Sequence, residues 1–339
     1  MSSAAIEGRS IVNSDLSRLV DPDSGESIRP VAGADALVGA GGRRYPVIGG
    51  IPRFVPPENY ALAFGLQWKR FPKTQLDSYT GLRLSEDRLA RCLRGELGGL
   101  AGKRVLEAGS GAGRFTEVLL KYGATVDSFD YSAAVDANAE NNGDHPKLTL
   151  VQADIRRIPF PQASYDVVVC LGVLQHTPDP EQSIRCLWEM VKPGGVLVID
   201  HYRRKLRNYL PPPIGVAGMV YRWIILRLPG DRQFAAVKRI VDFWFPLMWR
   251  FRDSKLAQFV IARFSPVVMY YPHFGLRDRQ MYYEWMLLDT HDAMTDTYKH
   301  RRTPGQMYRF LRSLRPCPSS EPVVTAGGNG VEAFCRKPG

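Results

Sequence analysis

Three carboxylates, three glycines and two groups of histidine and aspartate mark where this chain could do chemistry. Val105-Leu106-Glu107-Ala108-Gly109-Ser110-Gly111-Ala112-Gly113-Arg114-Phe115 is an apolar run ending in an acid, then a glycine-rich turn. Glycines at 109, 111 and 113 let the backbone pass close under a ligand, where a Cβ would clash. Asp130 stands 23 residues beyond Glu107 (130 − 107) and can accept hydrogen bonds from both hydroxyls of a ribose. Asp154, in Gln152-Ala153-Asp154-Ile155, can accept from an adenine amino group, with Ile155 against the ring. His176, in Leu174-Gln175-His176-Thr177-Pro178-Asp179, is a candidate general base. A second group, Asp289, His291 and Asp292, follows Trp285, and Tyr298 is near enough in sequence to help position a substrate. His145, His201, His273 and His300 read as surface or packing histidines.

Alternating strands and helices must position these groups. Residues 104–107, 125–130, 148–151, 165–171 and 196–200 read as strands. The fourth, YDVVVCL, is apolar almost throughout, as a strand covered on both faces would be. Helices are expected at 86–97, at 114–121 before Gly123, from Ser132 as N-cap to about 141, and at 181–191. Lys192-Pro193-Gly194-Gly195 reads as the turn into the fifth strand. A helix at 304–314, a strand at 323–325, a Gly-Gly-Asn-Gly turn and a final strand at 331–335 close the chain. In a parallel sheet of this kind, ligands sit at the carboxyl ends of the strands, where Glu107, Asp130 and His176 fall.

Together these residues resemble the class I S-adenosylmethionine-dependent methyltransferases, most closely the group that includes the ubiquinone/menaquinone-biosynthesis methyltransferases. The likeness is specific over about residues 102–202 and weaker at the C-terminal strands. It implies S-adenosyl-L-methionine as cofactor, with contacts at Glu107, Gly109, Gly111, Gly113, Asp130, Tyr131, Asp154, Ile155 and near Leu171. It also implies a seven-stranded sheet whose last strand is antiparallel. An NAD-binding sheet would place a third glycine at position 114, where Arg114 stands. The expected fold class is therefore α/β: a doubly wound, seven-stranded Rossmann-like methyltransferase sheet, with a small N-terminal β-rich module and a helical cap insertion after the fifth strand. The expected divisions are a flexible tail at 1–18, the module at 19–60, a helical connector or lid at 61–100, the core at 101–202 and 301–339, and the cap at 203–300.

Residues 19–56 are rich in glycine and proline and contain short apolar pieces. Leu19-Val20-Asp21-Pro22 and Arg44-Tyr45-Pro46-Val47-Ile48-Gly49-Gly50-Ile51-Pro52 resemble the small zinc-binding module that activates some tRNA and protein methyltransferases. Asp21 and Ser24 stand about where that module's first cysteine pair would be, so no metal is expected. Phe64-Gly65-Leu66-Gln67-Trp68 reads equally as a lid over the cofactor or as a plain interdomain contact.

The cap is basic and aromatic. Residues 201–300 hold 16 Lys/Arg against 8 Asp/Glu, which is +8 of the chain's net +11. Phe234, Val237, Ile240, Val241, Trp244, Phe245 and Met248 recur at helical spacing and read as a cap core or the wall of a pocket. The five cysteines are scattered and form no CxxC pair, and the N-terminus has no apolar signal segment, so a cytoplasmic setting is expected. The run at 214–228 is too short to span a bilayer but, with the arginines before it, suits peripheral contact with a membrane surface.

Methyl transfer to a small-molecule acceptor is the leading expectation, to oxygen rather than carbon or nitrogen, with His176, His291 and Asp292 as catalytic candidates. Sugar, lipid-quinone and secondary-metabolite acceptors stay open, whether apolar, aromatic or phosphorylated. Nucleic acid is not an expected partner, because the chain has no Asn/Asp-Pro-Pro-Tyr/Phe motif and no added RNA-binding domain. An RNA or protein methyltransferase and a non-catalytic cofactor-binding protein are the alternatives.

Overall fold

A computed structural model describes residues 16–31, 35–56, 59, 61–210, 217–268, 275–328 and 330–339. The first 15 residues, the start of the 214–228 run and His273 lie outside these residues, as do the side chains of Phe64 and Leu66.

The N-terminal module is a four-stranded antiparallel meander of β1 (Arg29–Pro30), β2 (Ala36–Val38), β3 (Arg44–Ile48) and β4 (Ile51–Pro52). Asp21 organises the turn before it. One carboxylate oxygen accepts from the backbone N–H of Asp23 (2.9 Å) and Ser24 (3.2 Å), and the other from the Tyr45 hydroxyl (2.9 Å). A carboxylate with three donors thus holds the loop. Leu19, Ile28, Leu37 and Tyr45 share one apolar core with Phe160 and Tyr165 of the main domain. Phe54 N–H also donates to the Gln152 carbonyl at 2.8 Å, so the module is welded to the larger sheet.

The connector forms α1 (Leu62–Arg70), α2 (Asp77–Thr80) and α3 (Leu84–Cys92). The helix expected over 86–97 stops early because Arg94 and Gly95 take positive φ, and a 3₁₀ turn at Glu96–Gly99 follows.

The core alternates β5 (Arg104–Ala108), α4 (Arg114–Lys121), β6 (Thr125–Asp130), α5 (Val135–Asn142), β7 (Leu148–Gln152), β8 (Tyr165–Cys170), α6 (Pro180–Met190) and β9 (Val191–His201). Ser132 is not the N-cap of α5, which starts three residues later: its hydroxyl accepts from Ala134 N–H at 3.1 Å and donates to Asp130 at 2.7 Å, and so holds the turn that leads into the helix. Lys192 to Gly195 are looped out of register: Tyr165 pairs with Val191, then Val167 with Val196. After the cap come α11 (Pro304–Ser313), β10 (Val323–Gly327) and β11 (Gly330–Arg336). The sheet order is β10-β11-β9-β8-β5-β6-β7, with β11 antiparallel to both neighbours and the rest parallel. The strand order reverses between β5 and β8, so a crevice opens at their carboxyl ends.

The cap inserted after β9 is helical: α7 (Gly218–Ile225), α8 (Gly230–Arg250), α9 (Lys255–Phe264) and α10 (Arg279–Thr295). Val237, Val241, Phe245 and Met248 of α8 are buried against Tyr282, Trp285 and Met286 of α10. The helical repeat read from the sequence is therefore the cap's core, with Phe234, Ile240 and Trp244 at its margin.

Candidate active site

A cavity of about 440 Å³ lies at the carboxyl ends of β5, β6 and β8, roofed by α1, α3 and α10. One end is the glycine turn. Gly109, Ser110 and Gly111 line it, followed by Asp130, Tyr131, Ile155 and Leu171. Asp130 Oδ2 accepts from Gly111 N–H at 2.9 Å, and Oδ1 from Ser132 N–H at 2.8 Å. The second strand's carboxylate is thereby fixed against the first strand's turn. Burial pushes the Asp130 carboxyl up, while the Ser132 and Gly111 hydrogen bonds oppose this.

The glycines are required partly for a reason the sequence did not suggest. At Gly109 (φ 79°) a Cβ would lie 2.2 Å from Val173 Cγ2, and at Gly113 (φ 89°) 2.1 Å from Asn138 Oδ1. The close approach is to the protein's own side chains as well as to the cavity. Gly113 does not line it, and a Cβ at Gly111 would meet the Trp68 indole at 3.1 Å.

The other end is a cluster of titratable groups: His176, Tyr202, Asp289, Asp292 and Lys299. Asp289, Asp292 and Ala293 fall at i, i+3 and i+4 on α10, so one face of that helix supplies them. His176 Nδ1 is 3.2 Å from the Tyr298 carbonyl oxygen, which must accept, so this nitrogen carries the proton when the ring is neutral. Nε2 then lies toward Asp292, at 3.8 Å. Burial lowers the His176 pKa, but the carboxylates of Asp292 and Asp296 outweigh it and the net direction is up. Burial pushes Asp292 up as well, against the pull of His176. The Tyr202 hydroxyl donates to Asp292 at 3.3 Å, and its ring meets the imidazole edge-on at 5.3 Å between centroids. Asp289 is pushed up to about 7, by burial first and the Asp292 charge second; Arg114, Arg88 and Gln75 oppose this.

The structure places the sequence candidates unevenly. Gly109, Gly111, Asp130, Tyr131, Ile155, Leu171, His176 and Asp292 all line the one cavity. Glu107 lies beneath the turn, 1 % exposed, where it accepts from Thr116 and from Ser128 (2.8 Å). Asp154 is turned to Arg156, which donates to it from two guanidinium nitrogens at 3.1 and 2.7 Å. His291 faces away from the cavity: its Nδ1 meets Gln67 Oε1 at 2.7 Å, and Phe234 covers its ring. Asp292 is the next residue, and a helix turns about 100° per residue.

Sequence reasoning missed Arg88, Arg114, Gln75, Tyr202 and Lys299, which also line the cavity. Arg88 pairs with buried Asp200, and Arg114 donates to Gln75 at 2.7 Å and Ser85 at 3.1 Å. Burial, then the Arg88 charge, lowers Arg114 to about 10. Among the described residues, no group of three or more His, Cys, Asp or Glu is placed to hold a metal ion.

Residues 106–199 match the family described as methyltransferase domain. The stretch so matched holds the glycine turn, Asp130 and His176. Ubiquinone biosynthesis O-methyltransferase from Pseudomonas fluorescens is 37% identical over 121 residues, which is 34% of this chain and 52% of that protein. The Coxiella burnetii protein of the same name is 32% identical over 118 residues, 34% of this chain and 50% of that one. The chain thus spans about half the length of the curated relatives it matches. Among solved structures, magnesium protoporphyrin IX methyltransferase from Synechocystis PCC 6803 with bound SAH is similar at 15% identity and a TM-score of 0.42, covering 82% of this chain and 95% of that one. The match to the methyltransferase domain begins inside β5 and ends inside β9, so the module, connector and cap lie outside it.

Proposed function

We propose that this protein transfers a methyl group from S-adenosylmethionine to a hydroxyl oxygen of a small-molecule acceptor. The observation that carries this reading is that one cavity joins the glycine turn and Asp130 to the His176–Asp292 pair. The residues at the first end suit the cofactor. Asp130 offers a carboxylate to a ribose diol, Ile155 and Leu171 offer apolar walls to a purine, and Arg88 and Arg114 offer positive charge to a carboxylate. Bound there, S-adenosylmethionine supplies a methyl group already activated on a sulfonium sulfur.

The protein then has to align an oxygen with that methyl group, exclude water and take a proton. His176, anchored through Nδ1, would receive the acceptor's hydroxyl proton on Nε2. The methyl group would pass to the acceptor oxygen, with the electron pair of the carbon–sulfur bond left on sulfur. Asp292, at 3.8 Å, is too far for a direct hydrogen bond but stabilises the imidazolium by charge. Asp289 would orient the acceptor by hydrogen bonding. The names of the O-methyltransferase relatives favour oxygen as the acceptor atom.

The test is incubation of the protein and host-cell extract with methyl-labelled S-adenosylmethionine, with Asp130→Ala as control, followed by fractionation. Loss of Asp130 removes two charge-assisted contacts to the ribose, so cofactor binding by calorimetry should weaken about 10²-fold or more. Asp130-dependent label in a small-molecule or lipid fraction supports the proposal. Asp130-dependent label in RNA or protein refutes it.

A further inference from the structure

The cap shows the reverse of what water selects on the α8–α9 hairpin. On α9, Leu256, Phe259, Val260 and Phe264 recur at i, i+3, i+4 and i+8 and stand outward, between 50% and 75% exposed. The polar Gln258 is buried instead, its amide donating to the carbonyls of Met248 (3.1 Å) and Phe251 (3.0 Å) of the preceding helix end. α8 adds Phe243, 75% exposed, and Leu247 one turn on. α7 repeats the pattern with Met219, Val220, Trp223 and Ile224. A surface helix ordinarily turns this face to the core, and a patch of this kind marks a contact.

The charges beside it choose the partner. From 238 to 264 there are six cations (Lys238, Arg239, Arg250, Arg252, Lys255, Arg263) and two acids (Asp242, Asp253). Both acids are already paired, with Lys238 at 2.7 Å and with Arg252 at 3.6 Å. Arg263 lies over the Phe259 ring at 4.3 Å, and Arg227 over Trp223 at 3.4 Å. Cations set at the rim of outward hydrocarbon are what an acidic bilayer surface accommodates: apolar side chains enter the acyl boundary and guanidinium groups stay at the phosphates. A second copy would bring six cations against six. A nucleic-acid backbone would leave the outermost phenylalanines and leucines uncovered.

We infer that the α8–α9 hairpin, with α7, docks this protein on an anionic lipid bilayer. The inference stands apart from the reading of the activity, since it uses no residue of the cavity. The helix beside this hairpin, α10, carries Asp289 and Asp292 at its other face, so docking would bring the acceptor end of the cavity to the same cap that meets the lipid.

The test is co-sedimentation of the full chain with vesicles of phosphatidylcholine alone and of phosphatidylcholine mixed with phosphatidylglycerol. The mixed vesicles should bind it at least about tenfold more tightly, and raised salt should weaken that binding. The double variant Leu256→Ser/Phe259→Ser should lose about tenfold or more on the mixed vesicles while keeping its unfolding temperature, because both side chains are exposed. Arg250→Glu/Arg263→Glu should lose the preference for anionic lipid. The inference is overturned if neither vesicle binds the protein, or if the serine variant binds as well as the parent. It is equally overturned if light scattering shows a dimer that the serine variant disperses, or if RNA competes for the patch in place of lipid.

Discussion

Replacing Glu107 by Gln should change the pH dependence of stability in a way its buried setting dictates. Glu107 is 1 % exposed, and its carboxyl is pushed up to about 7 by burial, against the Thr116 and Ser128 hydroxyls that donate to it. A carboxyl at about 7 in the fold and about 4.5 in the unfolded chain keeps its proton longer in the native state. Native protein therefore binds more protons between those values, and stability falls as pH rises through that window. The loss is about 3 kcal/mol, complete above about pH 7. At roughly 2.1 cal/mol/K per residue, that is about 4 °C in Tm for 339 residues. Gln keeps an oxygen for both hydroxyls but never ionises. Its amide introduces an offset that does not depend on pH, and Asp289 titrates in both proteins alike. The quantity to read is therefore the Tm difference between variant and parent, measured without cofactor from about pH 4.5 to about pH 8. It should move in the variant's favour by about 4 °C. A difference that stays flat with pH would refute the reasoning and place the proton elsewhere.

Three further outcomes are expected. With an acceptor in hand, the rate should rise with pH along a limb whose midpoint lies above 6.5, because His176 must be neutral to act and its carboxylate neighbours hold it protonated. Asp292→Asn should move that midpoint down and lower kcat about 10-fold or more; an unmoved midpoint would remove Asp292 from the pair. Asp21→Ala should destabilise the protein by about 2–4 kcal/mol in urea unfolding, since three donors lose their acceptor in a site 2 % exposed, and an unchanged midpoint would refute the turn's role.

The sequence by itself determined the sheet and the glycine turn with Asp130 at one end of the cavity. Near-continuous apolar runs such as 167–170 are readable because a strand buried on both faces leaves few polar positions. Glycines with left-handed φ and a carboxylate at each strand end are readable because turn and ligand contact are local to a few residues. The outcome at Glu107 and Asp154 was not local. Whether a strand-end carboxylate faces the cavity depends on Thr116, Ser128 and Arg156, which compete for it. The acceptor end belonged to tertiary structure altogether. His176 meets Asp292 across 116 residues (292 − 176), and the register of α10 turned Asp292 inward and His291 away. Arg88 carries no motif, and only the docking of the connector brings it to the cavity. The outward apolar face of α9 was equally hidden, because helical spacing reports that a stripe exists, and only packing decides which way it points.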